Sequence, residues 1–306
     1  MSTEFSINSN PSPELFQEIV QLVGTTEGWA FQNEDLDIWN SLESHDLFFV
    51  LRNNSEFVAS ISVAKQYLKK GNEILYSIAF FYCVEQYRNR GFGRVLFDLV
   101  KDIYKDANVT LFGVGTMWKW YLSNYNFKVL QPYFHASSTV YINDLVLNKI
   151  SENCGARDIA EKDWMKIHEY DSQICEIDRR KMMRMWMTAS NVFSKIIEKN
   201  NKIVGFGTIR IVSLNRLMIS PLYAESADYA KAIILGIIKD IPNLESFESI
   251  GAVYPYENEQ MDEIMFDLSN GHFKKSEFCR SQFTKRRLNV DTTKVFAIRH
   301  CAHSYV

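Results

Sequence analysis

Phe80-Phe81-Tyr82-Cys83-Val84-Glu85-Gln86-Tyr87-Arg88-Asn89-Arg90-Gly91-Phe92-Gly93-Arg94 is the stretch on which the fold of this chain turns. An apolar run of strand character ends, and a basic turn with two glycines opens a helix. That helix is expected over Gly91–Lys105, where Leu96, Leu99, Val100 and Ile103 recur at i, i+3, i+4 and i+7. Backbone N–H groups at a helix N-terminus are unpaired and lie at the positive end of the dipole, which suits a phosphate group. Gly91 and Gly93 let the main chain approach such an anion without a Cβ in the way. Arg88, Arg90 and Arg94 add positive charge beside it. Physical chemistry alone gives a phosphate site between a strand and a helix. The dinucleotide fingerprint is absent, since no third glycine follows at the required spacing, and there is no Walker lysine.

Outward from this stretch, the pattern predicts a strand at Glu4–Asn8, a helix introduced by Pro13, and a second helical stretch at Asp35–Leu42. Strands follow at Leu47–Arg52, Glu56–Tyr67 and Ile74–Val84, with turns at Asn53-Asn54 and Lys70-Gly71-Asn72. After the central helix come a strand at Val109–Val114, a helix at Trp118–Ser123, and strands at Phe127–Leu130 and Ser137–Ile142. The second half repeats this order. Helices are expected at Ala160–Tyr170 and Ile177–Met187, and strands at Ser194–Glu198, Ile203–Val212 and Leu217–Pro221. A helix at Ala227–Lys239, a strand at Phe247–Val253, a helix at Glu257–Leu268 and strands at Phe273–Phe283 and Lys294–His300 complete it.

Two echoes support a duplication: Leu122-Ser123-Asn124-Tyr125-Asn126-Phe127 against Leu268-Ser269-Asn270-Gly271-His272-Phe273, and Lys101-Asp102-Ile103 against Lys239-Asp240-Ile241. The expected organisation is α/β (α+β), with two tandem domains at 1–145 and 155–306 and the boundary in the polar stretch Asn143–Arg157. Each domain would be a mixed, mostly antiparallel sheet flanked by helices.

Arg88-x-x-Gly91-x-Gly93 after a strand, with its Tyr87-Arg88 lead-in, resembles the signature of the GNAT acetyltransferases. Val114-Gly115, Met117, Tyr121 and Phe127 look like the second motif of that superfamily. Glu27-Gly28-Trp29 and Ile219-Ser220-Pro221-Leu222-Tyr223-Ala224 are similar to tandem GNAT proteins whose C-terminal, YitH-type domain is degenerate. The resemblance implies acetyl-CoA as cosubstrate, with its pyrophosphate on the amides of Arg88, Asn89, Arg90, Gly91, Phe92, Gly93 and Arg94. Pantetheine would lie along Phe81, Tyr82 and Cys83, whose main chain would polarise the acetyl carbonyl. The thiol of Cys83 itself reads as a small packed hydrophobe. Tyr121 is implied as the general acid for the departing thiolate. Asn126 stands where the family has glycine, and asparagine tolerates the left-handed conformation this turn needs. Ser77 stands where some relatives keep a basic carboxylate. A base could come from Glu27, Asp35, Asp37 or a water chain.

Aligning the Lys-Asp-Ile triplets sets Ser226, Tyr229 and Lys231 opposite Arg88, Gly91 and Gly93, and Pro221 opposite Cys83. The second half is therefore read as a non-catalytic partner. It could wall an acceptor pocket formed with Glu27 and Trp29, with Tyr223 and the aromatics Trp164, Tyr170 and Trp186 as candidates; core packing is the plainer role for those aromatics.

At 306 residues with 34 Lys and Arg against 37 Asp and Glu, the net charge of -3 does not describe a general nucleic-acid binder. Arg179, Arg180, Lys181 and Arg184 read as one solvated helix face. The five cysteines are odd in number and lack CxxC spacing, which fits a reducing compartment. With no basic–apolar leader and no long apolar run, a cytoplasmic protein with no membrane partner is expected. The end His300-Cys301-Ala302-His303 reads as a frayed strand, not as a metal site, because no second ligand cluster accompanies it. The function expected is N-acetylation of a small-molecule or exposed amine acceptor. The alternatives are a pseudoenzyme that binds CoA or acyl-CoA, and an interaction module.

Overall fold

A computed structural model describes residues 5–41, 47–69, 73–147 and 155–304. The first half runs β1 (Phe5–Ser9), α1 (Pro13–Glu27), α2 (Asp35–Asn40), β2 (Leu47–Asn53), β3 (Glu56–Tyr67), β4 (Ile74–Cys83), α3 (Phe92–Tyr104), β5 (Asn108–Val114), α4 (Met117–Asn124), β6 (Val129–Leu130) and β7 (His135–Tyr141). The second half runs α5 (Trp164–Ile174), α6 (Arg180–Thr188), β8 (Val192–Lys199), β9 (Lys202–Val212), β10 (Arg216–Ala224), α7 (Ala227–Ile238), β11 (Ser249–Pro255), α8 (Glu259–Ser269), β12 (Phe273–Phe283) and β13 (Val295–Ala297). Glu4, Leu42, the 70–72 turn, Cys154 and the middle of the linker, 148–154, lie outside the described residues.

Local chemistry sets the boundaries. Ser12 caps α1 by accepting from the Leu15 amide, with Pro13 in the first turn, and Gly28 ends the helix at φ +71°. α3 buries Leu96, Phe97, Val100 and Tyr104. Its buried stripe is thus rotated from the expected one, because the aromatic rings of Phe97 and Tyr104 reach the sheet while Leu99 and Ile103 stay half-exposed. The turn after α4 survives the missing glycine, with Asn126 at φ +60°.

The sheets of the two halves are continuous, in the order β1-β2-β3-β4-β5-β12-β7-β11-β10-β9-β8. The pairings are antiparallel except β4 with β5 and β10 with β11. At the centre the halves exchange strands. β12 of the second half pairs with β5 through Cys279↔Val114 to Phe283↔Thr110, and β7 of the first half pairs with β11 through Ser249↔Tyr141 to Pro255↔His135. β7 and β12 also pair with each other. Neither half therefore holds a complete sheet of its own.

Each parallel pair comes apart partway along. β4 and β5 are in register only from Leu75↔Asn108 to Ile78↔Leu111. Beyond that point the β3–β4 register shifts between Ser60 and Ser62, and Phe80 takes φ +47°. A bulge of this kind bends the strand and turns it away from its neighbour. Ser60 Oγ donates to the Phe80 carbonyl at 2.8 Å, and the ring packs against Phe31 with centroids 4.0 Å apart, which holds a conformation that is costly for a side-chain-bearing residue. β10 and β11 likewise pair only over Leu217–Ile219.

Candidate functional site

Where β4 and β5 part, a cavity of about 790 Å³ opens, within the size range of small-molecule sites. Its walls bring together Glu27, Trp29, Phe81, Tyr82, Cys83, Arg88, Asn89, Gly91, Gly93, Arg94 and Tyr121, all singled out from the sequence. Arg90 and Phe92 belong to the same turn, but their side chains face elsewhere: Arg90 lies 5.6 Å over the Tyr87 ring, and Phe92 packs on Phe5 at 4.7 Å.

One end of the cavity is built for an anion. Asn89 at φ +62° and Gly91 at φ +87° wind the turn so that successive amides face the same way. The amides of Gly91, Phe92, Gly93 and Arg94 donate to no group among the described residues. Gly93 also makes room for a neighbour: a Cβ there would stand 2.9 Å from the tip of the Phe81 ring, which would have to shift. Arg88 braces the turn on the strand, its Nε donating to the Cys83 carbonyl at 2.9 Å and its Nη2 to Glu27 Oε1 at 2.6 Å. A turn with unpaired amides and the side chains of Arg88 and Arg94 beside it fits a CoA pyrophosphate.

Along the side wall, Val84 N–H donates to the Val58 carbonyl. By the alternation of an antiparallel ladder, the main chain of Cys83 then faces away from β3, toward the gap. Its carbonyl is engaged by Arg88, so its N–H is the group left to offer. Burial pushes the Cys83 thiol above its ordinary range, partly opposed by Arg88, which fits a packed side chain and not a nucleophile.

Tyr121 reaches the cavity from α4, packed among Phe81, Phe97, Trp120 and Phe127. Its hydroxyl has no partner among the described residues, and burial raises its pKa well above the ordinary tyrosine value. Tyr125 does not line the cavity; it donates to Asp98 at 3.2 Å.

Several sequence expectations are corrected here. Asp35 is not available as a base: it is fully buried, bound to Arg210 of β9 at 2.5 Å, and accepts from the Gln32 amide. Asp37 is exposed and outside the cavity. Glu27 is the one carboxylate among the described lining residues, and it is paired with Arg88. Tyr223 does not wall the cavity. It is wholly buried in the second half, edge-on to Phe206 and under Arg179. Trp164, Tyr170 and Trp186 take the core role that was the plainer expectation for them.

The second half contributes a different wall, which sequence reasoning missed. The C-terminal segment is not frayed: it threads between the halves, and Cys301 and Ala302 line the cavity together with Phe31 and Phe112. His300 packs tilted against Phe31 with ring centroids 4.4 Å apart, and His303 bridges Ser62 and Ser77 at 2.9 and 3.0 Å. Burial pushes the Cys301 thiol up to about 12.

The corresponding gap in the second half is filled by its own chain. β13 pairs with β10 at Leu222 and Tyr223, and Ile298 N–H donates to Val253 of β11. Above it, Ser226 caps α7 by accepting from the Tyr229 amide, in place of a glycine turn with open amides.

Residues 15–117 match a family model described as "Acetyltransferase (GNAT) family", and residues 167–245 one described as "Acetyltransferase (GNAT) domain". No curated protein matches the chain in sequence. Among solved structures, a Pyrococcus horikoshii protein described as a candidate acetyltransferase is similar at 13% identity and TM-score 0.68, over 97% of this chain and 95% of its own. A tandem GNAT protein from the clavulanic acid biosynthesis pathway is similar at 9% identity and TM-score 0.66, over 92% of this chain and 98% of its own. A GCN5-related glucosamine N-acetyltransferase region of a fungal multi-domain β-N-acetylglucosaminidase is similar at 7% identity and TM-score 0.61, over 92% of this chain and 38% of that one. At these identities the likeness is one of fold.

Proposed function

The chain belongs to the GNAT acetyltransferases as two such domains in tandem, and we propose that its first half transfers an acetyl group from acetyl-CoA to an amine. The observation that carries this reading is the opening between β4 and β5, whose walls carry both open amides and an unpartnered tyrosine hydroxyl. Gly91–Arg94, Arg88 and Arg94 would hold the pyrophosphate, and the main chain of Phe81–Cys83 the pantetheine. Acetyl-CoA supplies the acyl group already activated as a thioester. The protein's part is to position it, to exclude water with Trp29, Phe31, Phe80 and Phe112, and to place a proton donor.

Tyr121 is the donor in this account. Its hydroxyl stays protonated through neutral pH and would give its proton to the departing sulfur as the C–S bond breaks, and the proton shed by the newly acylated nitrogen would restore it. The amine is then expected to arrive unprotonated, since Glu27, the carboxylate at the cavity, is tied to Arg88. The second half acts as a non-catalytic partner: β13 fills its gap, and its C-terminal segment completes the acceptor end of the first cavity.

The paired state of Glu27 also favours a second reading, CoA binding without turnover. Release of CoA thiol, followed with acetyl-CoA and a panel of amines, separates the two. Amine-dependent release above the hydrolytic background is expected. Saturable binding with no release across aliphatic, aromatic and peptidyl amines would leave only the binding function.

A further inference from the structure

The basic residues that open α6 do not form one solvated face. Arg179 is buried, held by Asp171 at 2.7 Å, and with its neighbours it lines a second cavity of about 460 Å³ between the halves. We propose that this cavity is a second binding site, for a small ligand carrying a carboxylate or a phosphate.

Its charged lining residues are Lys65, Arg179, Arg180, Lys181, Arg184 and Arg299 against a single acid, Asp178. Asp178 pairs with Arg180, Asp171 with Arg179, and Glu161 with Arg184. Lys65, Lys181 and Arg299 are left without a carboxylate among the described residues. Arg299 decides the matter. It is only 2% exposed, its Nη2 donates to the carbonyls of Ala302 and His303, and its Nε and Nη1 find no acceptor. A buried guanidinium with two nitrogens unpaired and no carboxylate bonded to it is costly, and the cost is offset when an anion shares its low-dielectric surroundings. Arg210 stacks 3.5 Å from the Trp186 ring, with Arg299 4.9 Å from the same ring, and adds repulsion. Burial, then the nearby Arg179, bring the Arg299 pKa down to about 10 against the attraction of Tyr223 and Asp35.

Guanidinium groups suit carboxylate and phosphate oxygens in particular. The site also touches the first one: Arg299, His303 and Ser304 line this cavity, while Cys301 and Ala302, in the same segment, line the other.

Thermal melts in sodium phosphate and in sodium citrate, each against sodium chloride at equal ionic strength, test the site. One of the two anions is expected to raise Tm by at least about 2 °C over chloride. The larger rise identifies the group preferred. The rise should persist in Gly91→Glu, which closes the turn assigned to CoA, and vanish in Arg299→Met. If Arg299→Met does not fold, the double variant Lys65→Gln, Lys181→Gln is the test, and its rise should be reduced by half or more. The proposal is overturned if neither anion exceeds chloride, if the rise is lost in Gly91→Glu, or if it is unchanged in the folded Arg299→Met or the double-lysine variant.

Discussion

Gly91→Glu is expected to weaken acetyl-CoA binding at least about a hundredfold while the chain still folds. Gly91 is exposed, sits at φ +87°, and a Cβ built on it meets nothing within 4 Å, so the glutamate enters open space beside the turn. That is the space assigned to the pyrophosphate, and the carboxylate brings like charge to it. Losing charge-assisted hydrogen bonds worth roughly 1.5–3 kcal/mol each accounts for the factor with only two bonds lost. The positive φ makes any side chain mildly strained, so a small drop in Tm accompanies the change. Gly91→Ala carries the same backbone strain without the charge and should keep most of the affinity. Calorimetry on both variants gives the comparison. An unchanged Kd in folded Gly91→Glu would mean that the cofactor lies elsewhere.

Tyr121→Phe is expected to lower kcat by about 10²–10³-fold while acetyl-CoA affinity stays within about twofold. The hydroxyl bonds to nothing among the described residues, so its removal leaves no polar group stranded and the ring keeps its packing against Phe81 and Phe97. A melting curve close to that of the parent chain is therefore part of the expectation. Burial keeps the hydroxyl protonated well past neutral pH, so the parent enzyme should show no alkaline loss of activity attributable to this group between pH 6 and 9. Tyr125→Phe is the control: its hydroxyl serves Asp98 outside the cavity, and turnover should hardly change. If Tyr121→Phe costs less than about threefold, water or another group protonates the sulfur.

The part of the site that was legible in the sequence is the part made by neighbours in the chain. Phe81 to Arg94 is one strand, one turn and one helix start, and residue type alone carries the glycine requirement, the charge and the dipole. Tyr121 is likewise placed by its position on a short helix. What was illegible depends on pairing over long separations. Period-two patterning identifies β7 and β12 as strands but does not specify their neighbours, so the exchange between halves left no local trace. The C-terminal segment looked frayed because His300-Cys301-Ala302-His303 shows neither strand nor helix period. Its partners, Phe31, Ser62 and Ser77, stand more than 200 residues away. Asp35 and Arg179 misled for the same reason: each is a charge whose buried partner belongs to another element, Arg210 of β9 in one case and Asp171 of α5 in the other. Tyr223 was judged by its place in a motif, whereas the fold of its own half buries it.

The second half carries a matching strand–helix junction, so two sites would be possible on element order alone. β13 and the Ser226 cap argue that its gap is closed from within, whereas the first gap has open amides beside a cavity. Calorimetric titration of the intact chain with acetyl-CoA tests this most directly. The account predicts one site per chain, abolished or weakened at least about a hundredfold by Gly91→Glu. Two equivalent sites, a single site indifferent to Gly91→Glu, or no binding at all would contradict it.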